Sequence, residues 1–277
     1  MISLQIESIL KEKYLFDISL FSPSFIDKVI VSRMKHFGYA HVNEYETELL
    51  YNQEEVKDFI DALQIPFTFF FRNPLSFEIL SSQIIPSLFS KVKNGKEIRV
   101  WSVGCSTGQE AYSLAILFEE AARRFNKPIP YRIFASDISE ESIEKAKSGL
   151  YNESEIGNLR YDYIKRYFMI EMSEYSVKPF LREKIYFGFY NLLNENKMGP
   201  DDSIFASFDI VMCSNLLYYY NESIQEKMIS KLLYTLNPGG YFLTSDTEKY
   251  LIKDSIDIVS VSVQSAVFHK VKRGDYL

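Results

Sequence analysis

The sequence predicts an α/β protein with a mostly parallel, doubly wound sheet that follows a region of helices. From residue 97 onward, β-rich runs alternate with helix-compatible runs, the order that gives parallel strands with helices on both faces. Within residues 98–125, a β-rich run, a loop containing Gly104 and Gly108, and a helix follow one another directly. This order brings backbone close to a nucleotide-like ligand, although a purely structural turn also favours such residues.

Composition and charge exclude several classes of function. The 277 residues are 47% hydrophobic, 25% charged and 16% aromatic, which is typical of a folded globular protein. The net charge of −6 argues against a nucleic-acid-binding surface. Because no apolar run is long enough for a signal or a membrane span, we expect a cytoplasmic protein without membrane insertion. Nothing in the sequence requires an oligomer, so we expect a monomer.

The cysteines and histidines predict neither disulfide nor metal chemistry. Cys105 and Cys213 each lie in an apolar run at the expected end of a strand, where a buried free thiol is the simplest interpretation. His36, His41 and His269 are scattered and do not have the spacing of metal ligands. We therefore expect no metal site.

The first part of the chain is predicted to contain helices only. Apolar residues recur at helical spacing between residues 25 and 34 and again between 56 and 63. Ser22-Pro23 is a typical helix start, and Gly38 is a typical helix end. Pro66 marks a break. The predicted domains are a helical domain at residues 1–66 and a second domain at residues 67–277.

The second domain is predicted to open with a helix that begins at Asn73-Pro74 and ends near Phe89. The remaining strands and helices follow in alternation. Strands are expected at 97–103, 130–136, 184–190, 207–213, 239–245 and 265–271, and helices at 108–125, 139–149 and 222–236. One region departs from this alternation, because residues 165–187 resemble a small antiparallel insertion, a hairpin or three-stranded flap.

Polar residues follow several of the parallel strands, at the edge where ligands of such sheets bind. Asp137 ends the second strand, where a carboxylate commonly accepts hydrogen bonds from both ribose hydroxyls; alternatively, it caps the next helix. Asn191 and Ser214-Asn215 follow two further strands and suit an adenine edge or an amino-acid moiety, although such residues also favour turns. Arg72 adjoins an apolar run, where a cation usually has a carboxylate partner, either in the protein or on a ligand.

Several motifs occur together and in order. They are T-F-F-F-R-N-P at 68–74, R-V-W-S-V-G-C-S-T-G-Q-E-A-Y-S-L-A at 99–115, F-A-S-D-I-S at 134–139, N-L-L at 191–193, F-D-I-V-M-C-S-N-L-L-Y-Y at 208–219 and L-N-P-G-G-Y-F-L at 236–243. With these motifs the chain resembles the CheR family of chemotaxis receptor methyltransferases, which depend on S-adenosylmethionine. The resemblance extends from the helical N-terminus to about Glu248.

The resemblance implies a Rossmann-like methyltransferase sheet, an N-terminal helical domain and a small antiparallel β insertion. It implies that S-adenosylmethionine is the cofactor, that S-adenosylhomocysteine is the product, and that receptor glutamates become γ-glutamyl methyl esters. Arg72 and Tyr219 would lie near the transferred methyl group as the catalytic residues. The implied cofactor-binding residues are Thr68, Arg72, Gly104, Glu110, Asp137, Asn191, Leu192, Ser214 and Asn215. Among these, Glu110 would bind the amino group, Asp137 the ribose, and Asn191 with Leu192 the adenine.

The partner implied by the resemblance is the cytoplasmic helical part of chemoreceptors. Lys28, Arg33 and Lys35 could form a basic patch that contacts it, although a solvated helix face is an equally simple interpretation. The insertion has a short loop without glycine, so we expect no binding of a receptor tail peptide.

One departure from the family pattern concerns the substrate. Ser214 stands where the family usually has an arginine, which affects substrate anchoring more than cofactor binding. A non-catalytic sensor or scaffold that binds S-adenosylmethionine or its product is therefore the alternative function. Methylation of a small molecule or nucleic acid ranks last, because the two prolines of the amino-methyltransferase motif are absent after Ser214-Asn215.

Overall fold

The computed structural model describes residues 4–64, 67–91, 96–203, 206–252 and 257–271. The chain divides into two compact units. The first comprises Met1–Ile65 and Leu216–Lys227, and the second comprises Pro66–Asn215 and Met228–Leu277. No helix in the described ranges is long and apolar enough to cross a lipid bilayer. Because residues 65 and 66 are outside these ranges, the domain boundary at residue 66 stays a prediction.

The first unit contains four helices: α1 (Leu4–Tyr14), α2 (Pro23–Phe37), α3 (Val42–Tyr51) and α4 (Gln53–Leu63). The predicted start and end of α2 are confirmed. The Ser22 side chain accepts a hydrogen bond from the Phe25 N–H, and Gly38 ends the helix with a left-handed φ of 75°. Apolar residues at helical spacing form a separate core, which includes Ile26, Leu49 and Phe59.

A segment from late in the chain completes this helical unit. Tyr219 and Tyr220 belong to it, and their rings lie 4.7 Å from Phe25 and 5.1 Å from Phe21, respectively, between centroids. The Ser22 N–H donates to the Tyr219 carbonyl oxygen at 2.8 Å. The helical unit is therefore discontinuous in sequence, which the periodicity of residues 1–64 did not indicate.

The second unit is built on a seven-stranded sheet, which confirms the predicted α/β class. Its strands, in spatial order, are β6 (Ile185–Phe189), β2 (Tyr131–Asp137), β1 (Ile98–Val103), β7 (Phe208–Cys213), β8 (Leu236–Leu243), β10 (Val267–Lys270) and β9 (Ile258–Ser260). The first five are parallel, and the last two pair antiparallel. The central strands are almost wholly buried because they pack on both faces.

The helices of the second unit agree only in part with the sequence prediction, which included those within residues 74–91, 109–125, 140–148 and 222–235 but not the three short ones between residues 153 and 182. The helices are α5 (Pro74–Ile79), α6 (Ile85–Lys91), α7 (Gln109–Phe125), α8 (Glu140–Ser148), α9 (Glu153–Ile156), α10 (Tyr161–Tyr167), α11 (Pro179–Arg182) and α12 (Glu222–Thr235), of which α12 begins in the first unit. A π-helical turn at Leu80–Ile84 joins α5 to α6, where one continuous helix was expected.

The antiparallel insertion differs in extent from the prediction. β4 (Phe168–Glu171) and β5 (Glu174–Val177) form the expected hairpin, but the third strand of this small sheet is β3 (Leu150–Asn152). Residues 185–187, which the predicted insertion included, belong to β6 of the main sheet. The prediction was therefore wrong about the insertion's limits, because a three-residue strand such as β3 carries almost no periodic signal.

Candidate active site

The parallel register brings the predicted site residues to one edge of the sheet. Val103 in β1 lies opposite Ser136 in β2 on one side and Cys213 in β7 on the other. The residues that follow these three positions are Gly104, Asp137 and Ser214. The carboxyl ends of adjacent parallel strands thus meet where such folds bind ligands.

The turn between β1 and α7 is held in a conformation that places backbone N–H groups at this edge. Gly104, Ser106 and Gly108 have left-handed φ values of 67°, 48° and 95°. A Cβ atom at Gly108 would lie 2.9 Å from the Ala146 Cβ, so a side chain there would separate the turn from α8. Glycine at this position therefore serves both the positive φ and the close approach of α8.

Glu110 is a half-buried residue in the first turn of α7. Burial raises its pKa to about 8. The Ser102 hydroxyl donates to its Oε1 at 2.7 Å and, with the charge of Arg72, opposes the rise, whereas the charge of Glu248 adds to it. A cationic ligand beside Glu110 would restore the ionised form. The position therefore suits an ammonium group.

Asp137 is fixed by backbone donors from two sides. The Ser106 N–H donates to Oδ2 at 2.7 Å and the Ser139 N–H to Oδ1 at 3.0 Å. Burial raises the pKa of Asp137, and these two bonds oppose the rise. Helix α8 is capped by the Ser139 side chain, which accepts from the Ser142 N–H. Asp137 is therefore not the N-cap of α8, and both of its oxygens keep a second lone pair for hydroxyl donors.

Ser214 and Asn215 form a polar corner after β7. The Asn215 backbone has a left-handed φ of 61°, and its N–H donates to Oε2 of Glu248 at 2.8 Å. Ser214 Oγ and Asn215 Oδ1 are buried without a hydrogen-bond partner in the described part of the chain, as is Ser106 Oγ in the β1–α7 turn. Buried polar atoms are rarely left unpaired, so these three atoms indicate a ligand position.

The segment containing Thr68 and Arg72 is anchored by its aromatic side chains. Phe70 is fully buried against Tyr151 and Phe168, and the Phe71 N–H donates to the Ser113 hydroxyl at 3.0 Å. This anchoring holds the half-buried Thr68 and Arg72 on either side of Phe70.

Arg72 has no carboxylate partner within the described ranges, so of the two partners predicted from its apolar setting only the ligand-borne carboxylate stays a prediction. Its Nη1 donates to the Phe67 carbonyl oxygen at 2.6 Å, and the guanidinium lies 5.2 Å from the Phe67 ring centroid and 5.8 Å from that of Phe69. It forms no ion pair with a residue in the described ranges, although its charge acts on Glu110. Its remaining donors suit a carboxylate brought by a substrate.

Asn191 and Leu192 follow β6 beside Asp137. The Tyr190 N–H donates to the Asp137 carbonyl oxygen at 2.9 Å, which fixes the start of this loop. The Asn191 Oδ1 accepts from the Leu193 N–H at 2.9 Å, the turn role that the sequence left open. Leu192 is buried. Lys231 donates to the carbonyl oxygens of Leu192 and Asn194, at 2.9 and 2.6 Å, and so holds the loop closed.

Two predicted residues belong to the helical unit. Tyr219 packs on Phe25, and its hydroxyl accepts from the Tyr218 hydroxyl at 2.6 Å. Its catalytic role stays a prediction. Arg33 is bound to Glu55 and, at 3.0 Å, to Asp58, with only 16% of its side chain exposed. Arg33 is therefore not part of an exposed basic patch, because it neutralises a buried carboxylate.

The sequence prediction missed two residues, Glu248 and Lys231, whose side chains hold other parts of the candidate site in place. Glu248 is 33 residues from Asn215, and Lys231 is 39 and 37 residues from Leu192 and Asn194, so no local spacing links these pairs. Only the Ser-x-x-Glu pattern of residues 245–248 is a usable signal, since it is typical of a turn closed by a carboxylate. The buried, free thiols of Cys105 and Cys213 were predicted correctly.

Comparison with known proteins identifies the family. Residues 66–265 match the family model described as "CheR methyltransferase, SAM binding domain". The chemotaxis protein methyltransferase of Salmonella typhimurium is 33% identical over 80% of this chain and 74% of its own length. That of Borreliella burgdorferi is 29% identical over 80% of this chain and 79% of its own. An uncharacterised 104.1 kDa Rhodobacter capsulatus protein is 30% identical over 87% of this chain, which spans a quarter of that protein's length.

Proposed function

The chain belongs to the CheR methyltransferase family, with S-adenosylmethionine as its cofactor, and we propose that it methylates glutamate side chains of chemotaxis receptors. The product would be a γ-glutamyl methyl ester. The observation that carries the proposal is Arg72, an arginine without a carboxylate partner in the described ranges and within electrostatic reach of Glu110. Two relatives named as chemotaxis methyltransferases support the receptor as the substrate.

The residues at the sheet edge fit the cofactor on chemical grounds. Glu110 suits the ammonium group of the methionine part, and Asp137 keeps lone pairs for two ribose hydroxyls. The unpaired Ser106 Oγ, Ser214 Oγ and Asn215 Oδ1 offer further donors and acceptors. The cofactor, when bound, supplies an electrophilic methyl group on a sulfonium.

The protein's contribution to methyl transfer would be positioning. A glutamate side chain with an ordinary pKa near ~4.3 is ionised at neutral pH, so no general base is needed. Arg72 would orient the incoming carboxylate through donors that the Phe67 carbonyl does not use. A tight bidentate pair would make the carboxylate a poorer nucleophile, so a single contact suits the reaction better. The rate of methyl transfer would follow from holding the carboxylate oxygen, the methyl carbon and the sulfur in line, in a site with little water.

The test is methyl transfer from labelled S-adenosylmethionine to membranes that contain the organism's chemoreceptors. We expect base-labile label on the receptors, because methyl esters hydrolyse in base. Arg72→Ala should lower kcat by about 100-fold, because substrate orientation is lost. It should weaken S-adenosylhomocysteine binding much less.

A matched control is Arg132→Ala. Arg132 also stacks on an aromatic ring, 5.1 Å from the Tyr186 centroid, and pairs with Glu97, but it lies near the opposite end of β2 from Asp137. It should leave kcat unchanged. Cofactor binding without any receptor label would reject the proposed activity and favour the sensor or scaffold. An equal loss of kcat in Arg72→Ala and Arg132→Ala would reject the proposed role of Arg72 in orienting the substrate.

A further inference from the structure

Glu248 has an environment that none of the site roles given so far explains. Its side chain is fully buried, and its Oε2 accepts several hydrogen bonds. Donors to Oε2 include the Asn215 N–H at 2.8 Å, the Thr244 hydroxyl at 2.9 Å, and the Ser245 hydroxyl and N–H at 2.6 and 3.3 Å. The donors from Thr244 and Ser245 are local, but Asn215 is 33 residues away, at the end of the adjacent strand β7.

The long-range bond acts on a residue with an unusual backbone. Asn215 has a φ of 61°, in the left-handed region that is unfavourable for most residues and that Asn tolerates better than most. The N–H that donates to Glu248 belongs to this same residue. A charged acceptor makes a stronger hydrogen bond than a neutral one, so Glu248 holds the Asn215 backbone in the left-handed region.

Two unpaired atoms adjoin the fixed backbone. Ser214 Oγ and Asn215 Oδ1 are buried without a partner in the described part of the chain. A buried polar atom without a partner is unfavourable, so the fold would pair these two atoms if the corner could move. The Glu248 carboxylate therefore holds Ser214 and Asn215 in a conformation that leaves these polar atoms for a ligand.

We propose that Glu248 is a positioning residue, which fixes Asn215 so that Ser214 and Asn215 present their polar atoms to S-adenosylmethionine. Glu248 itself does not touch the cofactor. The inference rests on the cofactor part of the proposed function and is independent of the protein that is methylated. The charge of Glu248, which helps raise the pKa of Glu110, is a secondary effect at a longer distance.

The first test is the affinity of Glu248→Gln for S-adenosylhomocysteine, measured by calorimetry. The variant keeps the size of the side chain and replaces a charged acceptor by a neutral one. We expect the Kd to rise about tenfold, the difference between a charge-assisted and a neutral hydrogen bond at this corner. The matched control is Glu55→Gln, since Glu55 is also a buried carboxylate with several donors but lies in the helical unit. Glu55→Gln should lower thermal stability and leave the Kd unchanged.

The second test separates positioning from a merely structural role. In the wild-type protein without cofactor, we expect the Asn215 amide to exchange slowly with deuterium. In Glu248→Gln, exchange should accelerate at Asn215 while the central strands β1 and β2 stay protected, and saturating S-adenosylhomocysteine should restore the protection. Acceleration throughout the sheet would instead indicate general destabilisation and would overturn the proposal.

Each outcome decides the inference. Unchanged S-adenosylhomocysteine affinity in Glu248→Gln would overturn it, as would rapid exchange at Asn215 in the cofactor-free wild type. If Glu248→Gln does not fold, the wild-type exchange measurement alone still decides whether the corner is fixed in advance. No measurement here uses a receptor, so failed receptor methylation would reject the proposed substrate only.

Discussion

Glu110 links the candidate site to pH, because its proton must leave before it can attract a cation. In the cofactor-free protein, burial raises its pKa to about 8. The ionised form therefore predominates only above that pH. If the cofactor's ammonium group binds at Glu110 as proposed, it selects the ionised form, and up to one proton would be released on binding below pH 8.

We predict that S-adenosylhomocysteine affinity increases as the pH rises from 6 to 8. The slope of log affinity against pH should approach one proton per cofactor at the lower end, because Glu110 is then mostly protonated. Calorimetric titrations in buffers of different ionisation enthalpy would measure the released proton.

Glu110→Gln is the control for this pH dependence, since it keeps the shape of the side chain and removes its titration. It should bind more weakly at pH 8 and show only the pH dependence of the cofactor's own groups. A wild-type profile that matches the variant's would rule out Glu110 as the ammonium partner.

Single residues also show how far the sequence could predict the site. The polar groups at Asp137 and Ser214-Asn215 were identified because strand ends in parallel sheets meet at one edge. Glu248 was missed as a partner of Asn215, because a bond across 33 residues depends on strand order. Arg72 was expected to pair with a carboxylate of the protein or of a ligand, and within the described ranges the Phe67 carbonyl oxygen satisfies one of its donors.

At the scale of elements, the turn between β1 and α7 depends on the distance to α8. Gly108 is the N-cap of α7, and because it has no side chain, Ala146 of α8 can lie close to the turn. Helix α8 follows directly after Asp137 and Ser139. The packing of α7 against α8 therefore influences both the β1–α7 turn and the Asp137 carboxylate, to which this turn donates a hydrogen bond.

We predict that Gly108→Ala destabilises the protein by about 3 kcal/mol, since the new Cβ meets Ala146 and the φ of 95° disfavours it. It should also weaken S-adenosylhomocysteine binding. Gly157→Ala is the matched control, because its Cβ would meet only backbone oxygens at 3.7 and 3.9 Å. Chemical denaturation would give both free energies of unfolding. Equal stability of the two variants would contradict this account of the turn.

The elements that the sequence failed to predict are short ones: strands β3 and β9 and helices α9, α10 and α11. Strands β3 and β9 have three residues each, too few for an alternating pattern to be recognised. The long elements, such as α7 and β7, were predicted within a few residues because many buried positions repeat along them. Three-residue strands form because a neighbouring strand supplies their hydrogen bonds.

At the scale of the whole molecule, the net negative charge of the chain disfavours binding to an acidic partner, so a local basic region would be needed. The chain carries −6, whereas a receptor surface rich in glutamates needs a basic contact. Arg33 is unavailable for this, since it binds Glu55 and Asp58. Lys28 and Lys35 are exposed on α2 and remain candidates.

We predict that the double charge reversal of Lys28→Glu and Lys35→Glu raises KM for receptor membranes about tenfold at low salt, since the local attraction is lost. High salt should reduce the difference. Lys57→Glu, at an exposed position of α4, is the control and should change KM little. Unchanged KM in the double variant would place the receptor contact elsewhere.

The discontinuous helical unit has a consequence for the order in which the protein folds during synthesis. Ribosomes release the N-terminal helices first, and many N-terminal domains fold at that point. Here the Leu20 carbonyl accepts from the Asn221 N–H at 2.9 Å, and Phe21 and Tyr220 form an isolated antiparallel β-bridge. Those partners emerge only after most of the sheet has been translated. The N-terminal helices should therefore stay incompletely packed in the nascent chain, dependent on chaperones, until the segment near residue 220 arrives.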